Sequence, residues 1–241
     1  MRSDSFARVT RFSPRFMLRC TCTVLFLGFA VAAPASQRLR ASFLEIDTVT
    51  GVPFPPHEVT HLGRTYSLKS IFQDGGIDLD VRYDESSIPR ADAYDDPELH
   101  AMMLSHKNPT YGEQPDKWSA WCVVVTRSRD RPSILGVLFD IKGRQGCAVF
   151  FETSGFTGGL RNRPKAFLRA FAHEVGHVFN LLHSDGDRYS IMVQTADIEP
   201  LPDEPGTPMR LEFTEKSKNH LANDPEEFVR PGGSGFGEGR S

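Results

Sequence analysis

The chain has 241 residues, with 28 lysines and arginines against 31 aspartates and glutamates, a net charge of −3. That length suits one domain with a sizeable core. Beyond residue 35 the balance is mildly acidic with no basic tract, which argues against nucleic acid as a partner.

The N-terminus has the layout of an export signal. Arg2, Arg8, Arg11, Arg15 and Arg19 form a basic region opposed only by Asp4, and an apolar stretch from Val24 to Ala33 follows. Ala33-Pro34-Ala35 is an A-x-A site, which places signal-peptidase cleavage after Ala35 or Ala32. The apolar run is shorter than the roughly 20 residues of a membrane span. The length of the basic region keeps an uncleaved N-terminal anchor as the alternative, and a membrane is a partner only in that case. The expected location is therefore secreted or periplasmic. Removing residues 1–35, which carry five arginines and one aspartate, takes the net charge from −3 to −7. Two cysteines then remain, Cys122 and Cys147, each in a strand-like run (121–126 and 146–151). In an oxidising compartment adjacent strands would let them pair as a disulfide; the alternative is two small buried thiols.

Residues 36 to 75 read as short strands and turns. They include His57-Glu58-Val59-Thr60-His61, an H-E-x-x-H string that follows Pro55-Pro56 and precedes Gly63. That setting is strand and loop, with no further histidine placed to complete a site. Ile77, Leu79, Val81 and Tyr83 alternate and share one face of a strand. Asp96-Pro97-Glu98 opens a helix toward His106. Strands are expected over 119–126, 134–141 and 146–152, and Gly155, Gly158 and Gly159 break the chain after them. His100, His106 and His220 read as surface histidines, and Trp118 and Trp121 as core or rim.

From Pro164 to Leu182 the periodicity is helical. Phe167, Leu168, Phe171, Val175, Val178, Phe179 and Leu182 recur at spacings of three and four, forming one apolar stripe. His173 and His177 fall on the opposite side, four residues apart and so on one face. They can converge on one Zn²⁺, while Glu174 flanks that face and reaches a metal-held water without being a ligand. A third histidine, His183, can join them only if the helix stops and the chain turns back through a left-handed residue. Asn180 stands where that turn is needed, and asparagine is the most tolerant residue there after glycine. Downstream, Asp185 and Asp187 flank Gly186 as candidates to bond a ligand histidine or simply to form a solvated turn. Pro200, Pro202, Pro205 and Pro208 mark a stiff loop, Thr214-Glu215 starts a last short helix, and 231–241 is a glycine-rich, loose tail.

The string from His173 to His183, H-E-x-x-H-x-x-N-x-x-H, together with Ser190-Ile191-Met192, resembles the metzincin clan of zinc endopeptidases. Ser184 and the short gap to Met192 look most like its matrixin branch. Asn180 replaces the clan's glycine, and Gln194 follows where some branches carry a tyrosine. The resemblance implies His173, His177 and His183 as ligands of one catalytic zinc ion, Glu174 as general base, and Met192 in a turn beneath the metal. It implies a mixed α/β (α+β) fold: a twisted sheet, an active-site helix and a small C-terminal subdomain within 36–230. By the same resemblance, the strand at 146–152 edges the cleft and pairs with an extended protein or peptide substrate. The function so implied is an exported zinc endopeptidase. A zinc hydrolase of another amide and an idle binding module on the same fold are the alternatives. No oligomeric state follows.

Overall fold

The computed structural model describes residues 39–154, 158–183, 187–194 and 210–239, all within one unit, Ser36–Ser241. The expected signal peptide, Asp185 and the 200–208 proline loop lie outside the described residues. β1 (Arg40–Thr48) is an interior strand of the sheet, and its last seven residues are all buried. Burial on both faces is typical of parallel strands covered by helices. Yet this strand carries Ser42, Glu45 and Asp47, and their polarity disguised it as one of several short strands. β4 (Ile77–Tyr83) and β5 (Trp118–Val125) flank it in parallel, Arg40 facing Ile77 and Ser42 facing Trp118. β7 (Gly146–Phe150) pairs in parallel with β5, and β6 (Gly136–Val137) adds an antiparallel edge, giving the order β4-β1-β5-β7-β6.

That order corrects two expectations. The strand foreseen over 134–141 is reduced to Gly136–Val137. The strand near 146–150 is interior rather than the edge, because β6 occupies its free side. The short β6 segment is thus the edge that borders the cleft.

The second H-E-x-x-H string is not helical. Val59–His61 is β2, paired antiparallel with β3 (Arg64–Tyr66) across a two-residue turn in which Leu62 and Gly63 have φ of 49° and 76°. Two positive φ values are what a tight hairpin turn requires. Leu68–Asp74 is helix α1, which the sequence reading placed among strands and turns; its capping box is made by Ser67 and Ser70 rather than by the usual serine and glutamate. α2 (Asp96–His106) lies where expected, but its N-cap is Asp95, one residue before the Asp96 that the sequence suggests. A short α3 (Pro109–Gly112) follows. No described helix is long and apolar enough to cross a membrane.

Cys122 and Cys147 are direct partners on β5 and β7, with their sulfurs 2.8 Å apart, and both are free, buried thiols. The adjacency is as expected. Burial pushes both thiols up.

Glu45 is 1 % exposed, and both its carboxylate oxygens accept from the Asn108 amide, at 3.0 and 2.9 Å. Burial, with Asp47 and Asp84 adding to it, pushes this carboxyl up from 4.5 to about 7, against the opposing pull of the Asn108 bond and Lys107. The folded chain therefore holds a proton that the unfolded chain releases. This contribution is complete below pH 4.5 and is lost as pH rises through about 7. Glu45→Gln keeps an acceptor for Asn108 and removes the titration. Its melting temperature should gain on the wild type as pH rises across that window; a constant difference would show that Glu45 is not the titrating group.

Candidate metal centre

Helix α4 (Pro164–Val178) opens with Pro164 at its first turn and is buried from Ala166 to Val178. His173 and His177 are each 7 % exposed and Glu174 6 %, so the residues opposite the apolar stripe face a cavity, not bulk solvent. The helix closes as its sequence requires. Asn180 has φ of 64°, its amide donates to the His177 carbonyl at 2.9 Å, and the Leu181 amide donates to the Gly176 carbonyl at 2.9 Å. These two bonds are a Schellman closure, and they reverse the chain so that His183 returns to the helix. Its ring centroid lies 5.2 Å from that of His173 and 4.9 Å from that of His177.

One ligand atom from each of His173, His177 and His183 lies within 4.8 Å of the others. The Nε2 atoms of His173 and His177 are 3.1 Å apart. Their Nδ1 atoms point away, to the Ile191 carbonyl at 2.8 Å and the Leu181 carbonyl at 2.7 Å. A carbonyl only accepts, so each Nδ1 carries the proton and each Nε2 presents its lone pair to the centre. Burial, reinforced at His173 by His177, pulls His173 well down, and burial takes His177 to about 4, so both rings are neutral at ordinary pH. Convergent neutral imidazoles with fixed tautomers are the donor chemistry that a zinc ion takes. The residues present fit the metal.

His183 is exposed, and the Gln194 side chain sits 3.0 Å from its Nδ1. A half-turn of that amide lets Oε1 accept from Nδ1–H, leaving Nε2 for the metal. Gln194→Leu should weaken zinc binding about 10- to 100-fold, measured by competition with a chromophoric chelator. Unchanged affinity would deny Gln194 any role in orienting His183.

Met192 is fully buried beneath the helix. A Cβ on Gly176 would lie 2.6 Å from its sulfur, so glycine inside the motif is what lets the turn approach. Arg169, one turn before His173, was missed. It is 1 % exposed and donates to the Ile191 carbonyl at 2.9 Å and to the Val193 carbonyl, on either side of Met192. Ile191 thus accepts from Arg169 and from His173 together. Asp187 instead pairs with Arg210 at 2.6 Å and receives the Tyr189 amide at 3.1 Å, which is its turn reading. His220, expected at the surface, is buried on α5 (Glu215–Asn223); it lies 2.6 Å from Asp224 and 3.2 Å from the carbonyl of Phe179, the residue that caps α4.

Glu174 lies directly under β6: a Cβ on Gly136 would stand 2.4 Å from its Cγ. Burial pushes this carboxyl up to about 8 in the metal-free chain, with Arg169 and Arg131 pulling the other way. The carboxyl and the three imidazoles open into a cavity of about 590 Å³, bordered by residues 133–138 on one side and by Gln194 and Phe236 on others. The tail expected to be loose supplies that phenylalanine. Residues 231–239 are tied to the body by Gly232 N to Gly143 O at 2.6 Å and Phe236 N to Ile141 O at 3.0 Å, among other bonds.

No protein-family model and no curated protein sequence matches this chain. Among solved structures, it is similar to the crystal structure of archaemetzincin from Methanopyrus kandleri. The two are 14 % identical, the match covers 78 % of this chain and 97 % of that chain, and the TM-score is 0.47.

Proposed function

We propose that the chain is an exported zinc-dependent endopeptidase. The observation that carries this reading is the convergence of His173, His177 and His183 beside the buried carboxyl of Glu174 in one cavity. Zinc held by the three imidazoles would supply a Lewis acid that polarises a carbonyl and acidifies a water. Glu174 takes the proton of the attacking water and delivers it to the departing amine nitrogen. The outer edge of β6, the last strand of the sheet, offers its backbone to an extended peptide. Met192 supports the helix from below and touches no substrate.

The test is zinc content together with cleavage of a peptide library, in the wild type and in His183→Ala. One zinc per chain, internal cleavage, and weakened zinc in the variant support the reading. Cleavage only at chain ends points to a narrower amide hydrolase, and zinc without cleavage to an idle binding module. A folded wild type that takes no zinc removes the proposal. Export rests on residues 1–35. N-terminal sequencing of the released protein should find Ser36 or Ala33 first; Met1 on a membrane-bound protein would favour the anchor.

A further inference from the structure

Asn180, at φ 64°, sits at a backbone conformation that glycine adopts freely and other residues adopt only at a cost. Its side chain explains its presence. Fully buried, the carboxamide accepts from the Gly237 amide at 2.7 Å and donates to the carbonyls of Phe228 at 2.9 Å and Glu238 at 3.1 Å. Glycine would close the helix equally well and make none of these bonds. Arg144 ties the same segment from the other side, donating to Ser234 O at 2.7 Å and Arg230 O at 3.0 Å while also holding Val178 O at 2.9 Å. Between these ties lies Phe236. Its ring meets His177 edge-on, with centroids 5.3 Å apart at 88°, and it borders the cavity with Leu138 and Ile141. Ile141 is 58 % exposed and Leu182, close to Gly237, is 40 % exposed. Ile141 is therefore an uncovered apolar residue at the rim of the metal cavity.

We propose that Phe236 determines substrate specificity as one wall of the cleft, selecting a bulky apolar side chain beside the metal, and that Asn180 is the residue that positions it. This rests on the peptidase reading for its substrate. Its geometry is local to the strap, residues 231–239. The carboxamide converts the end of the metal helix into a latch for a segment more than fifty residues downstream. Residue 236 alone reaches the cavity, and the neighbouring glycines, Gly237 at φ 83° and Gly239 at φ 70°, let the chain fold tightly around it.

The experiment uses the full chain as wild type, Phe236→Ala and Asn180→Gly. Three readings are taken: amide hydrogen exchange of residues 236–238, affinity for zinc-directed hydroxamate probes bearing a methyl or an isobutyl group, and relative kcat/KM on peptides carrying alanine or leucine near the scissile bond. Phe236→Ala should lose about tenfold of the preference for isobutyl over methyl and for leucine over alanine. Asn180→Gly should reproduce that loss without altering any cleft side chain, and should speed exchange at Gly237 by a hundredfold or more. Zinc affinity should stay within threefold of wild type in both. Unchanged selectivity in Phe236→Ala overturns the specificity role. Unchanged exchange in Asn180→Gly overturns the latch. If the wild type binds zinc and the probes but cleaves no peptide, the peptidase reading fails by itself, and the probe affinities and exchange rates still decide on Phe236 and Asn180.

Discussion

Glutamine in place of Glu174 is expected to reduce peptide cleavage by about 10²- to 10⁴-fold and to leave zinc bound. Glu174 is adjacent in sequence to His173, yet it stands outside the cluster of converging ligand atoms. Its carboxyl instead lies against Gly136 on β6, at the edge where an extended substrate would lie. Glutamine has the same shape and preserves that packing, but its amide cannot accept a proton at neutral pH and return it. The substitution thus separates proton transfer from folding and from metal binding. Zinc is measured by atomic absorption after gel filtration, and kcat/KM on a fluorogenic peptide. Cleavage within threefold of wild type would show that Glu174 is not the base. Loss of zinc would show that the carboxylate helps to hold the metal.

Arg169→Met should destabilise the metal-free chain by about 3 kcal/mol, from the loss of charged hydrogen bonds to carbonyls left buried. For a domain of this size that lowers the melting temperature by roughly 6–12 °C. Burial pulls the guanidinium down to about 9, so it still carries its charge at neutral pH. Its bonds to Ile191 O and Val193 O hold both sides of the turn that contains Met192. Methionine fills much of the same volume without donors, which isolates the hydrogen bonds from the packing. Because Ile191 O also orients His173, zinc affinity should fall as well. Thermal unfolding in a chelator removes the metal's own contribution to stability. A melting temperature within 2 °C of wild type would mean that the turn holds itself.

The metal helix was legible because two periodicities coincide in it. The apolar stripe from Phe167 to Phe179 fixes the buried face, and the spacing of His173 and His177 fixes what lies opposite. The turn at Asn180 was legible because few residues tolerate its backbone. Arg169 was not, since an arginine on a helix ordinarily reads as solvated and nothing in its neighbours announces two carbonyls folding back from residues 191 and 193. β1 was hidden by Glu45 and Asp47, which imitate a surface strand although both are buried. The strap was hidden by its own composition. Its ties are backbone groups meeting the backbone of Gly143 and Ile141 and the side chains of Asn180 and Arg144, and a backbone amide carries no sequence signature. Gly136 and Gly176 read as ordinary glycines until Glu174 and Met192 are seen pressed against them.

The two thiols at the centre of the sheet give the domain an internal clock. Cys122 on β5 and Cys147 on β7 are wholly buried, so a thiol reagent reaches them only when the domain opens. In a chain beginning at Ser36 they are the only cysteines. The rate at which they are alkylated therefore counts openings of the whole domain. Zinc that binds the closed form slows that count in proportion to its occupancy, which turns metal affinity into a quantity readable from sulfur chemistry within the sheet.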